Sequence, residues 1–92
     1  AFTVCFQSKL GRGRWLSPAT DVKLVELAKL GVKRLAVLSP AFVADCLETL
    51  EELGVRGKED FIREGGEAFA LISSLNSHPR WVSAMAEIVR RL

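Results

Sequence analysis

Three carboxylates at helical spacing are the residues of this sequence that most suggest chemistry. Asp45, Glu48 and Glu52 are separated by three and four positions, a spacing that places side chains on one face of an α-helix. Carboxylates beside the end of a β-strand can bind a divalent cation or take protons from a substrate. The simpler alternative is a solvent-exposed helix face, because Glu51 extends the acidity around the helix.

A loop with glycines and arginines contains a second group of candidate residues. The segment Gly11–Arg14 offers flexible backbone and two guanidinium groups, which suit anionic groups such as carboxylates or phosphates. Trp15 follows in the same loop, where an indole needs a partner or a ligand. The glycines match neither the P-loop nor the dinucleotide-binding fingerprint, so this loop alone identifies no ligand.

The single histidine and the two cysteines suggest less. His78 lies beside Pro79 in the predicted first turn of a helix, which favours a surface or capping role, and one histidine cannot form the usual zinc site. Cys5 and Cys46 belong to no C-x-x-C pair. We interpret them as half-buried thiols, with a metal contact and a reactive thiol as the open alternatives.

Strands that alternate with helices are predicted to position these groups. β-branched and apolar runs predict three strands, at Phe2–Phe6, Arg34–Leu38 and Ala68–Ile72. Apolar residues at helical spacing predict helices at 20–30, 42–53, 58–64 and 77–92, with Trp81 in the core. This order predicts an α/β fold in which a short parallel sheet of about three strands lies between two helical layers.

Glycines and strand ends complete this prediction. Gly31, Gly54 and Gly57 are interpreted as helix boundaries. In open parallel sheets, ligands bind at the carboxyl ends of the strands. The predicted site is therefore formed by three connections, at residues 7–20, 39–42 and 73–77.

Composition limits the class of protein. The 92 residues, 49% hydrophobic and 26% charged, predict one small domain over residues 1–92. Thirteen Lys and Arg against 11 Asp and Glu are interleaved along the chain, which argues against nucleic acid as a partner. No run of about 18 apolar residues and no signal-peptide pattern is present, so we expect a cytoplasmic protein in a reducing compartment.

Two segments of the sequence resemble the ferrochelatase family. The first is FQSKLGR at residues 6–12, followed by Trp15. The second and more specific one is PAFVADCLETLEE at residues 40–52, which is most similar to bacterial members. Gly65, Gly66, Leu75 and Asn76 match later family positions, so the similarity extends over nearly all 92 residues.

The resemblance implies a fold and an activity. The fold is the Rossmann-like chelatase fold, in which two similar halves enclose a porphyrin cleft. The activity is the insertion of Fe²⁺ into protoporphyrin IX to give protohaem. Iron would then be the substrate metal, and no tightly bound cofactor is expected. The partners would be the porphyrin and the divalent metal.

The resemblance also implies roles for the carboxylates. Glu48 and Asp45 match active-site positions and are the expected catalytic residues. Glu48 and Glu52 are the expected metal-binding residues, with Glu52 extending an acidic path along a helix that is widened in known members. Cys46 falls where some members have histidine, which leaves its role open.

Three further residues match the family's porphyrin pocket. Trp15 and Phe42 correspond to aromatic positions near the macrocycle, and Arg12 is expected to bind a propionate.

The family's catalytic histidine has no counterpart here, since His78 is in a different place. We therefore expect the chain to be the C-terminal part of a ferrochelatase, inactive in isolation and completed by a missing N-terminal part or by a second copy. The alternative is a non-catalytic porphyrin-binding or self-associating half-chelatase module. Membrane association is left open.

Overall fold

Helices and two short strands alternate along the chain in the computed structural model, which describes residues 1–92. The elements are α1 (Thr20–Lys29), β1 (Arg34–Val37), α2 (Leu47–Leu50), a π-helical segment (Glu52–Gly57), α3 (Lys58–Arg63), β2 (Ala68–Leu71) and α4 (Pro79–Arg90). This order confirms the predicted α/β class. It also confirms the predicted positions of α1, α3, α4 and the two later strands to within a few residues.

The sheet consists of β1 and β2 in parallel. Arg34 lies opposite Ala68 and Val37 opposite Leu71. In both strands exposed and half-buried residues alternate, because successive side chains point to opposite faces. Phe69 on the inner face packs against α3, with its ring centroid 6.1 Å from that of Phe61. The other face is exposed, so helices of this chain cover only one face of the sheet. The prediction of helices on both faces is wrong.

The expected strand at Phe2–Phe6 is absent as an element. Only Phe6 pairs, in a single parallel bridge with Ala19. The Phe6 N–H donates to the Pro18 carbonyl at 2.9 Å, and the Phe6 carbonyl accepts the Thr20 N–H at 3.0 Å. Phe2 is 90% exposed. A β-branched run becomes a strand only where a neighbouring strand satisfies its backbone groups, and no strand of this chain lies beside it. The sheet therefore has two strands and not three.

The predicted helix at 42–53 begins later and does not end at Gly54. It starts at Leu47 and continues through the π-helical segment into α3. The two glycines lie inside that segment because neighbouring side chains come close. A Cβ at Gly54 would lie 3.2 Å from Leu71, and one at Gly57 would lie 2.9 Å from Leu24. These glycines permit close packing and do not mark helix ends.

The core lies between α1, the π-helical segment, α3 and the inner face of the sheet. Leu24 and Ala28 contribute from α1, Leu53 from the π-helical segment and Phe61 from α3, and all four are at most 4% exposed. Burial of these apolar side chains is the main stabilisation of the folded chain. It also fixes the π-helical segment against α1.

The last helix lies outside this core. α4 has no buried residue. Trp81 is half-buried, so the prediction that it lies in the core is wrong. Met85 and Ile88, which share its apolar stripe, are exposed. None of the helices combines the length and the apolar character that a membrane span needs.

Candidate active site

Asp45 lies just before α2 and is held by three donors. Its carboxylate accepts hydrogen bonds from Asn76 Nδ2 at 2.8 Å, from Thr49 Oγ1 at 2.9 Å and from the Ser74 N–H at 3.2 Å. The Asp45 N–H in turn donates to Asn76 Oδ1 at 2.8 Å. The bond from Asn76 is the largest cause that lowers the pKa of Asp45 below 3.8, while desolvation opposes it. Asp45 thus ties the start of α2 to the loop after β2.

Glu48 lies in the first turn of α2 and is half-buried. A hydrogen bond from the side chain of Cys46 is the main cause that lowers the pKa of Glu48 below 4.5, and its own backbone N–H adds to the effect. No Lys or Arg pairs with Glu48, because the ion pairs of the chain involve other carboxylates. The carboxylate is therefore ionised at neutral pH and is not neutralised by a protein cation.

Glu52 is the first residue of the π-helical segment, and the loop near the N-terminus binds it. Its Oε1 accepts the Ser8 N–H at 2.9 Å. Ser8 itself has a φ of 63°, in the left-handed region. Glu52 also lines a cavity of about 160 Å³ between that loop, α1 and the π-helical segment. The other predicted site residues do not line this cavity.

The three carboxylates do not form one metal site in this chain. Asp45 precedes α2, so the helical spacing that predicted one face for all three carboxylates does not extend to it. Their partners differ as well: Asp45 faces the loop after β2, Glu48 faces Cys46, and Glu52 faces Ser8. No group of three or more His, Cys, Asp or Glu side chains is arranged to hold a metal ion.

The predicted porphyrin residues lie on two connections. Trp15 is 40% exposed, and its indole N–H donates to the Gln7 carbonyl at 3.0 Å. Phe42 is half-buried in the turn after β1, where its N–H donates to the Ser39 carbonyl at 3.1 Å. Arg12 is exposed and makes no ion pair or side-chain hydrogen bond. Two aromatic side chains and one unpaired guanidinium are thus present on these loops.

Gln7 contacts the elements that carry these candidate residues, and reasoning from residue types did not single it out. Its Nε2 donates to the Glu48 carbonyl at 2.9 Å, and its Oε1 accepts a short hydrogen bond from Ser39 Oγ. The side chain therefore joins the loop to α2 and to the end of β1. The available signal was its place in the FQSKLGR segment, as the only glutamine of the chain.

The histidine and the cysteines take local roles. His78 is the N-cap residue of α4, where its Nδ1 accepts the Arg80 N–H at 3.2 Å, so the predicted capping role is confirmed. Cys46 is the N-cap residue of α2, and Cys5 accepts the Thr20 hydroxyl at 3.3 Å. Both thiols are half-buried and free.

Comparison with known proteins places these features in a family. The family model described as Ferrochelatase matches residues 1–92. A protein named ferrochelatase from Pseudomonas aeruginosa strain LESB58 is 60% identical over 91 residues, which cover 99% of this chain and 27% of that protein. Ferrochelatases of Pseudomonas putida KT2440 and Ectopseudomonas mendocina are 52% and 53% identical over 90 residues, covering 98% of this chain and 27% and 26% of those proteins. No solved structure matches the chain.

Proposed function

Because this chain belongs to the ferrochelatase family, we propose that it supplies the carboxylate side of an active site that inserts Fe²⁺ into protoporphyrin IX to give protohaem. The observation that carries the proposal is the state of the Glu48 carboxylate. Glu48 is a half-buried residue, and its carboxylate has a lowered pKa and no cationic partner in the chain. An ionised carboxylate without a cationic partner can bind a divalent cation, whereas its lowered pKa makes it a weaker proton acceptor than an ordinary carboxylate.

Metal insertion requires an acceptor for the pyrrole protons and a ligand for the metal. The porphyrin must lose its pyrrole protons and the metal must lose its water before the metal–nitrogen bonds form. In the proposal Glu48 takes up a proton and contacts the metal, and Glu52 delivers the metal along the widened helix. Iron is the substrate in this reaction and is not a resident cofactor.

The loops supply contacts for the porphyrin in this proposal. Trp15 and Phe42 offer flat apolar surfaces for the macrocycle, and the hydrogen bond from the Trp15 indole to Gln7 fixes the plane of that ring. Arg12, which has no carboxylate partner in the chain, binds a propionate. The rest of the cleft comes from another part of the same protein or from a second copy, because the chain spans about 27% of the length of its curated relatives.

Asp45 has a different part in the proposal. Its carboxylate is occupied by Asn76, Thr49 and Ser74, so it fixes the start of α2 and thereby the position of Glu48. Direct catalysis by Asp45 stays a prediction.

The test uses a hybrid enzyme, defined as the full-length Pseudomonas aeruginosa ferrochelatase in which the matching 91 residues are replaced by this chain. Insertion of Fe²⁺ into protoporphyrin IX is followed by absorbance. We expect turnover by the hybrid enzyme and a loss of about 100-fold or more in Glu48→Gln, the magnitude typical of a general base. Glu67→Gln is the control, because Glu67 is an exposed carboxylate without a side-chain hydrogen bond or ion pair. Undiminished turnover in Glu48→Gln would refute the proposal.

A second candidate is the non-catalytic module that binds porphyrin or pairs with itself. The observation that favours it is the apolar surface of α4, where Val82, Ile88 and Val89 are each at least 52% exposed. Exposed patches of this kind are typical of interaction surfaces. This candidate requires the chain to self-associate or a bound porphyrin to quench Trp15, without any metal insertion.

A further inference from the structure

We infer that Gln7 is a positioning residue that couples the porphyrin-facing loop to the helix of Glu48. The inference rests on the proposed function and assigns a role to a residue that touches neither substrate in it. Gln7 contacts both sides of the proposed site at once, through its side chain on one side and its backbone on the other.

The side-chain amide of Gln7 is used at both ends. Its Nε2 donates to the Glu48 carbonyl at 2.9 Å, while its Oε1 accepts from the hydroxyl of Ser39, which is only 9% exposed. Among uncharged side chains, only an amide presents a donor and a carbonyl acceptor at the end of a flexible stem. The amide therefore fixes the Gln7 peptide between the end of β1 and the first turn of α2.

The backbone of the same residue holds the indole of Trp15. The carbonyl of Gln7 accepts the Trp15 Nε1–H at 3.0 Å. The neighbours of Gln7 are also fixed, because Phe6 bridges to Ala19 and the Ser8 N–H donates to Glu52 at 2.9 Å. A displacement of this peptide would move Trp15 relative to the helix that carries the two candidate metal-binding carboxylates.

The consequence for the reaction is a fixed distance between the porphyrin plane and the Glu48 carboxylate. Loss of the Gln7 amide leaves Trp15 and Glu48 chemically intact, so porphyrin binding is retained. Their relative position is lost, and misplacement of about 1 Å can slow a reaction by about 100-fold. The inference therefore predicts an effect on kcat and not on KM.

The test is Gln7→Met in the hybrid enzyme, since methionine has a similar length and no comparable donor or acceptor. We expect kcat for Fe²⁺ insertion to fall by about 10-fold or more, within the range for misplacement, while KM for protoporphyrin IX changes by less than about twofold. Incorporated 5-fluorotryptophan gives a second readout: the ¹⁹F resonance that disappears in Trp15→Phe should shift in Gln7→Met. Glu67→Gln should leave kcat, KM and this resonance unchanged.

Two results would overturn the inference: an unchanged kcat in folded Gln7→Met, or a Trp15 resonance that stays in place. If Gln7→Met does not fold, Gln7→Asn replaces it, because its amide is one methylene short of bridging Ser39 and Glu48. The same kcat loss at constant KM is then required, and its absence refutes the coupling. Failure of the proposed function is distinguishable, since it appears as full activity in Glu48→Gln or none in the unsubstituted hybrid enzyme, while the Trp15 resonance still tests the coupling.

Discussion

Asp45 and Glu48 both have lowered pKa values, but their hydrogen-bond partners suit them to different roles. Asp45 accepts from Asn76, Thr49 and Ser74, which together occupy both of its oxygens. Glu48 owes its lowered pKa to hydrogen bonds from Cys46 and its own backbone, and no cation neutralises it. Hydrogen bonds to an ionised carboxylate stabilise the charged form in both cases. The residue with unused acceptor capacity is the better candidate for chemistry.

The role of Asp45 predicts a pH-dependent contribution to stability. Its pKa in the folded state lies below the ordinary 3.8, so its ionised form stabilises the fold at pH values above 3.8. That contribution is lost as the pH falls through the lowered pKa. We therefore expect Asp45→Asn in the hybrid enzyme to unfold at lower urea concentration than the unsubstituted protein at neutral pH. The difference should narrow in acid.

Urea unfolding at neutral pH and at a pH below 3.8 measures both differences. Glu67→Gln serves as the matched control, because its exposed carboxylate has no side-chain hydrogen bond to lose. A difference for Asp45→Asn that is the same at both pH values would show that the charge of Asp45 is not what holds the loop.

At this scale, residue types and the family resemblance named candidate site residues but not the contacts that position them. Glu48 and Trp15 could be named from the sequence because carboxylates and loop indoles have limited uses. Gln7 could not, because its bonds reach Ser39 and Glu48, which are 32 and 41 positions away. Contacts at that separation depend on how the elements pack, and a single sequence carries no local mark of them.

At the scale of elements, the π-helical segment is the feature that distinguishes this helix. The Glu51 carbonyl accepts both the Val55 N–H at 3.2 Å and the Arg56 N–H at 2.9 Å, so the ladder changes from four-residue to five-residue steps. Apolar periodicity predicts no such segment and makes Gly54 and Gly57 helix boundaries. The family resemblance implied a widened helix, and the structure confirms it.

Close packing at Gly57 is what holds the π-helical segment against α1. A Cβ there would lie 2.9 Å from Leu24 Cδ1 and 3.3 Å from the Glu52 carbonyl, and Leu24 is buried. We expect Gly57→Ala in the hybrid enzyme to destabilise the fold by about 1–3 kcal/mol, as overpacking typically does. Denaturant unfolding measures the change.

Gly13→Ala provides the comparison for this prediction. A Cβ at Gly13 would meet nothing within 4 Å, and Gly13 is exposed, so the substitution should change the free energy of unfolding by less than about 0.5 kcal/mol. Equal effects of the two alanines would mean that the contact with Leu24 does not restrict the π-helical segment.

At the scale of the whole molecule, the sequence predicted the order of elements better than their surroundings. Alternating strands and helices identified the α/β class because both periodicities are local. The strand expected at Phe2–Phe6 and the core position expected for Trp81 were wrong, since each requires a neighbour that this chain does not place there. The outer face of the sheet and the apolar face of α4 are exposed for the same reason, because no other element of this chain packs on them.

The 92-residue chain by itself is expected to be inactive. Its only histidine caps α4 through Nδ1, and its carboxylates form no metal cluster. We expect no Fe²⁺ or Zn²⁺ insertion into protoporphyrin IX by the isolated chain under conditions in which the hybrid enzyme turns over. Absorbance measures turnover, and sedimentation at micromolar concentration measures association. Turnover that Glu48→Gln abolishes would contradict this expectation, because this chain alone would then assemble a working site. Association of that active chain would indicate that a second copy completes the cleft, whereas an active monomer would place every essential group within these residues.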